Sequence, residues 1–223
     1  LFSTENTNGT TIYSWVNSND YIGLDSSGTG DIDSFIAFNE TNEPVIAIIT
    51  VTPSYDDPLL LCTGDPIFFT ITVNPLGQVT QPDDIVVCNQ EETTIDFETL
   101  NSGGATSYTW VVTGDAVGLS SSTSEVVDSI NDITFTATNS GDQPISAEVT
   151  VTPIFEGCSG TPQPFTITVN PTTNIVGFDD QYIFTGGTTT AVALSSTTAG
   201  ATFFWTAVAQ TGITNLTTTE GST

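Results

Sequence analysis

The string Phe69-Thr70-Ile71-Thr72-Val73-Asn74-Pro75 returns unchanged as Phe165 to Pro171, 96 residues later. Other marks keep nearly the same step. Cys62-Thr63-Gly64 returns as Cys158-Ser159-Gly160, also at 96. Trp15, Trp110 and Trp205 follow one another at 95, and each has an aromatic two places before it: Tyr13, Tyr108 and Phe203. Val51-Thr52-Pro53 matches Val151-Thr152-Pro153 at 100, so the step drifts by a few residues, as insertions in surface loops allow. A repeat at fixed spacing governs the architecture before any local propensity does.

The frame predicts three units: residues 1–77, lacking the first strand of the repeat; residues 83–171, complete; and residues 176–223, the N-terminal part of a third, divergent unit. Asn74-Pro75-Leu76-Gly77 and Asn170 to Asn174 read as short Pro-containing linkers that favour an extended string over independent tumbling.

Within a unit the apolar residues alternate. Ala47, Ile49 and Val51 align with Ala147, Val149 and Val151, while Ile48 aligns with Glu148, so the first set should face a core and the second solvent. Further strands are expected at 85–88, 93–99 and 107–112, with a turn at Asn139-Ser140-Gly141-Asp142. Thr, Val and Ile dominate, no window reads as an amphipathic helix, and six or seven short strands in about 90 residues describe an Ig-like β-sandwich. The fold class is therefore all-β, in tandem modules. Tyr13, Trp15, Tyr108, Trp110, Phe203 and Trp205 are expected as core aromatics; stacking on a sugar would need their face to be free.

Edges of such sheets are usually guarded by Lys, and this chain has none. Pro and Asp replace it: Pro44 and Pro144 precede strands, and Pro53 and Pro153 are expected to close them. The wider charge pattern is as unusual. Asp and Glu number 26 against no Lys, Arg or His, a formal charge of −26. No side chain can neutralise phosphate, so nucleic acid and anionic membrane are excluded as partners. No side-chain base titrates near neutrality, and a small sandwich offers little cleft for paired carboxylates, so catalysis is not expected. No stretch is long and apolar enough to span a membrane. The charge should keep parallel copies solvated and apart.

Three cysteines fit the repeat frame as a Cys88–Cys158 disulfide within the second unit, worth roughly 2–4 kcal/mol, with Cys62 unpaired because its partner would precede Leu1. A Cys62–Cys88 bridge across units and three free thiols are the alternatives. Asp83-Asp84 and Asp179-Asp180 recur at 96 near the unit boundaries. They could hold calcium, a hard cation taking six to eight oxygens; the alternative is a solvated acidic face without any cofactor. Asn8, Asn39 and Asn215 head formal N-glycosylation sequons, at the frequency chance provides in an Asn- and Thr-rich chain.

Val-Thr-Pro, then Cys-x-Gly-x-Pro, then Phe-Thr-Ile-Thr-Val-Asn-Pro stands at 51–53, 62–66 and 69–75, and again at 151–153, 158–162 and 165–171. With Trp and Ile22-Gly23-Leu24 in step, this order resembles the PKD-like repeats of giant surface adhesins from gliding Bacteroidetes. The resemblance weakens from Gly177 onward, where Phe184 stands in the slot of Cys88. It implies export by the type IX secretion system, attachment at the outer-membrane surface, contact with the gliding machinery and with neighbouring modules, and no catalytic residues. It also implies an O-glycosylation motif at Asp128-Ser129-Ile130. The expected function is a stalk or spacer segment of an extracellular adhesin. A ligand-binding module recognising glycan or protein, or a self-assembling filament, is the alternative.

Overall fold

The computed structural model describes residues 1–5, 9–56, 62–126, 132–206 and 221–222. Strands β1 (Thr10–Asn17), β2 (Ser27–Thr29), β3 (Val45–Asp56), β4 (Cys62–Thr63) and β5 (Ile67–Val73) make one antiparallel sheet. Its order is β2-β1-β3, and β4 and β5 share the other side of β3. Strands β6 (Ile85–Cys88), β8 (Thr106–Gly114), β9 (Ser122–Val126), β11 (Ile145–Phe155), β12 (Cys158–Ser159) and β13 (Gln163–Asn170) make a second sheet, ordered β6-β13-β11-β8-β9 with β12 also on β11. β7 (Glu92–Asp96) and β10 (Asp132–Thr136) pair with each other and form the facing layer. β14 (Phe204–Trp205) and β15 (Gly221–Ser222) form a third, two-stranded pair. The only helical turn among the described residues is a short 3-10 turn, Asp20–Ile22.

Period-two burial builds two separate cores. Ala47, Ile49 and Val51 lie under Trp15, Ile22 and Leu24 in the first. Ala147, Val149 and Val151 sit with Phe165, Ile167, Ile95 and Phe135 in the second. Ile48 and Glu148 point outward from the same strands. A sheet that buries alternate residues on one face has this pattern, and the chain is an all-β sandwich fold.

The recurring Ile22-Gly23-Leu24 motif has a local cause. Gly23 and Gly118 take φ of 92° and 98°, and a Cβ there would collide with the backbone carbonyls of Ile36 and Thr136. Glycine lets the chain pass close to its neighbour, drops Ile22 and Val117 into the cores, and leaves their carbonyls to accept the N–H of Phe38 (2.9 Å) and Thr138 (3.0 Å).

The expected strand over 93–99 stops at Asp96. Pro53 and Pro153 do not close strands but lie inside β3 and β11. The reason is directional. Each proline carbonyl accepts from a glycine N–H, Gly64 at 2.9 Å and Gly160 at 2.8 Å, and a residue's N–H and C=O leave a strand on the same side. That side is where β5 or β13 breaks off into the β4 or β12 loop. A missing donor costs little there, while β1 and β8 continue to pair along the other side.

Candidate functional site

β11 fixes where the chain enters and leaves the second core. Near its C-terminal end, the N–H of Gly77 in the incoming linker donates to the carbonyl of Cys158 at 3.0 Å. A Cβ on Gly77 would lie 2.5 Å from the carbonyl oxygen of Pro153, and one on Gly160 would overlap the carbonyl of Gly77, so both positions require glycine. Near the N-terminal end, Val169 pairs with Ile145 and the outgoing chain continues from Asn170. Entry and exit are separated by the length of β11, eleven residues at about 3.3 Å each, or roughly 35 Å.

The linker is strapped down by hydrogen bonds that repeat. Thr80 N–H donates to the Glu98 carbonyl at 2.8 Å, and 96 residues later Val176 N–H donates to the Ser195 carbonyl at 2.9 Å. Gln78 N–H donates to Asn101 Oδ1 at 2.7 Å; in the second linker the amide oxygen comes from Asn174 and the Thr197 N–H donates at 3.2 Å. Asn101 Nδ2 donates to the Leu76 carbonyl at 3.1 Å, and Thr198 Oγ1 to the Thr172 carbonyl at 3.4 Å. Val79 packs on the second core. Ordering a linker costs backbone entropy, and these bonds with Val79 offset it.

At the first joint the flanking loops also meet. Ser102 N–H donates to the Asn42 carbonyl and Ser102 Oγ to Glu43 Oε1, both at 2.9 Å, while Gln78 Nε2 donates to Asn42 Oδ1 at 2.9 Å. The second joint is a polar cleft of about 470 Å³ between the Asn139–Asp142 loop and Thr197–Thr198. Each exit is locked by one asparagine. Asn39 Nδ2 donates to the carbonyls of Glu43 (2.8 Å) and Val73 (2.7 Å) and its Oδ1 accepts from Thr41 N–H; Asn139 does the same with Gln143, Val169 and Gly141. The Asn39 sequon is thus spent on structure. These clamps were in the sequence as Asn39 and Asn139 in step with Pro44 and Pro144, a signal that reads as a turn until the partner carbonyls are known.

The aromatic positions divide. Trp15 is 7% exposed and Tyr108 3%, while Tyr13 and Trp110 are half-buried against the same cores. Phe2 meets Tyr13 at 5.4 Å and 45°, and Phe97 meets Tyr108 at 5.1 Å and 42°, one contact made twice. Trp110 Nε1 donates to the Ser120 carbonyl at 3.0 Å. The hydroxyl of Tyr108 is buried and makes no hydrogen bond of normal geometry, with the Thr99 hydroxyl close by. That burial pushes its pKa above the usual phenol value, and the neighbouring Thr99 hydroxyl only partly offsets it. The third pair corrects the expectation of a core. Phe203 is half-buried and Trp205 is 41% exposed, and neither belongs to a buried cluster of the described residues.

The disulfide expectation is overturned. Cys62, Cys88 and Cys158 are free thiols. Cys88 pairs with Asn170 at the exit end of the second sheet, whereas Cys158 pairs with Phe155 at the entry end. Two Cα atoms must approach within about 7 Å to be bridged, and β11 separates these by several times that. The repeat frame put Cys88 on the first strand correctly, but parallel pairing of β6 with β13 carries it to the wrong end. Cys62 lies opposite Tyr55, at the end of its sheet away from the linker, so a Cys62–Cys88 bridge is excluded too.

Asp83, Asp84, Asp179 and Asp180 are all exposed. Among the described residues no three Asp, Glu or Cys side chains converge. Asp84 instead accepts the Thr166 N–H at 2.6 Å and pins β6 to β13. Asp128-Ser129-Ile130 lies outside the described residues, as do Asn8 and Asn215. No described helix is long and apolar enough to cross a membrane.

No protein-family model and no curated protein matches this chain. Solved structures of similar shape include the FN1–FN3 domains of chicken CNTN1, with a TM-score of 0.34, 10% identity and coverage of 74% of this chain and 59% of that one. Domains 4 and 5 of the S-layer protein SbsC give 0.29, 16%, 71% and 70%. Likeness at this level leaves function to the residues themselves.

Proposed function

We propose that the chain is a spacer segment of a long extracellular stalk in which residues 1–77, 83–171 and 176–223 act as successive modules. The observation that carries this reading is the pair of strapped linkers, which enter a module at one end and leave it at the other. A chain threaded in this way adds one module length per repeat. Burial of Trp15 and Tyr108 and the absence of any Lys, Arg or His argue against catalysis and against sugar stacking on those aromatics. The charge of −26 serves the stalk by repelling neighbours.

The resemblance to PKD-like repeats carries the finer reading: export by type IX secretion, a place on the outer-membrane surface, and use in gliding, with the mobile adhesin SprB as the likeness. Its partners would be the neighbouring modules and the gliding machinery, without nucleic acid or membrane insertion. Small-angle scattering tests the spacer role. An elongated particle whose length changes little with salt supports it, and a compact one would count against it. Saturable binding of polysaccharide by the isolated chain would instead favour the ligand-binding alternative.

A further inference from the structure

Ile48 and Glu148 occupy the same outward position on β3 and β11, and the contrast extends across the face around them. On the first sheet Val16, Ile46, Ile48 and Phe68 point outward and are 58%, 57%, 47% and 76% exposed. They form one patch. Thr50 stands between Val16 and Phe68 in the strand register, and Ile48 is the diagonal neighbour of both. On the second sheet Val111, Ser146, Glu148 and Pro164 hold the four places. Packing does not demand the isoleucines, since the second unit builds the same strand without them.

A strand added beside a sheet extends its plane and leaves its outer face as it was. In the second sheet β6 lies on β13, and Ser146, Glu148 and Pro164 are exposed all the same. The open outer face is therefore a property of the fold.

Charge narrows what can cover this face in the first unit. The chain has 26 carboxylates and no Lys, Arg or His. Yet the outward residues of Ser14–Val16, Ile46–Thr52 and Phe68–Thr72 include no Asp or Glu; beside the four apolar side chains they are Ser and Thr. A basic partner finds no anion here and many elsewhere. A second copy can approach here without setting carboxylate against carboxylate. The four apolar side chains expose roughly 400–500 Å² per copy, and with the hydroxyl side chains among them two such faces bury about 1,000 Å² in all, the lower limit for a specific interface.

We propose that the outer face of the β2-β1-β3-β5 sheet pairs with the same face of a second copy through Val16, Ile46, Ile48 and Phe68. The two sheets stack about 10 Å apart around a two-fold axis that passes near Ile48. The copies run antiparallel, which carries the two second units, with their Glu148, to opposite ends of the pair. Such a contact closes at two copies. The acidic surfaces around it repel, so the pairing is weak and strengthens with salt as the screening length falls toward about 3 Å near 1 M. It goes beyond the spacer role and does not rest on it.

Sedimentation of the 223-residue chain from micromolar to submillimolar concentration in high salt tests this. The expected result is a mass that rises with concentration and levels off at two chains. Ile48→Glu copies the residue that the second unit carries, so it keeps the strand, and it should weaken the pairing by about tenfold or more. Ile46→Ser, copied in the same way from Ser146, should act in the same direction. Val111→Glu adds the same single charge at an exposed position of the second sheet and should leave the dimer unchanged, which separates the face from net charge. A single chain at every concentration overturns the proposal and leaves the spacer reading intact. Mass that grows beyond two chains, or association that Ile48→Glu and Val111→Glu change alike, overturns it as well.

Discussion

The side-chain amide of Asn139 donates to the carbonyl of Val169 at 2.8 Å, inside the exit end of the second sheet, and Asn39 repeats the bond to Val73 at 2.7 Å. One residue thereby ties the loop before the long strand to the end of the last strand, where the linker begins. Asn139 is buried, so its partners have no water to replace it.

Asn139→Ala leaves the Val169 and Gln143 carbonyls without their donor. The expected loss is about 2–4 kcal/mol, read as a fall in Tm of roughly 10 °C or more in the transition of the second core. Asn39→Ala should lower a different transition. If both variants shifted one common transition, the two cores would not melt independently.

Gly28 lies opposite Trp15 in the β1–β2 pair, and a Cβ there would overlap the indole ring. Gly28→Ala should displace Trp15 and cost about 1–3 kcal/mol, visible as a red shift in tryptophan emission. An unshifted spectrum at unchanged Tm would mean the ring has another place to go.

Tyr108 favours its neutral form in the fold, because burial raises its pKa. Its contribution to stability is fully present below the unfolded value near 10 and is lost as pH rises through the higher folded value. Denaturation followed at 295 nm should therefore show delayed phenolate formation coupled to unfolding above about pH 10. Tyr108→Phe should remove that component and, by deleting a buried hydroxyl that makes no hydrogen bond of normal geometry, leave stability at neutral pH unchanged or raised by about 1 kcal/mol.

The free thiols make reductant irrelevant. Cys62 and Cys88 are exposed and should react promptly with a thiol reagent in the native state, with the half-buried Cys158 slower. Tm should be the same with and without reductant. A Cys88–Cys158 peptide in a non-reducing digest would contradict the placement of β6.

Gly77 is the tightest point of the first joint. Gly77→Val cannot seat the linker between Pro153 and Gly160, so the hydrogen bonds of Gly77 and its neighbours should loosen while each core survives. Scattering should report a broader distribution of lengths at nearly constant Tm. An unaltered profile would show that the loop contacts of Ser102 with Asn42 and Glu43 hold the joint alone.

Much was legible in the order of residues because local rules act on every repeat alike. Alternation put Ala47, Ile49 and Val51 inside and Ile48 outside, and Ile22-Gly23-Leu24 stood in step with Trp15, as its counterpart did with Trp110. Such features depend on neighbours a few positions away, and a repeat states them twice. What escaped depends on which strands become neighbours. Cys88 and Cys158 share a unit yet stand about a strand length apart, since only the pairing of β6 with β13 decides at which end a residue lies. Pro53 reads as a strand end until the side faced by its missing N–H is known. Trp205 has the spacing of a core residue and is nevertheless 41% exposed, because burial is set by what packs over a side chain and not by its place in the period. The sequence alone thus determined the period, the sandwich and the inward faces; tertiary pairing decided the ends and the joints, because those are relations between strands distant along the chain.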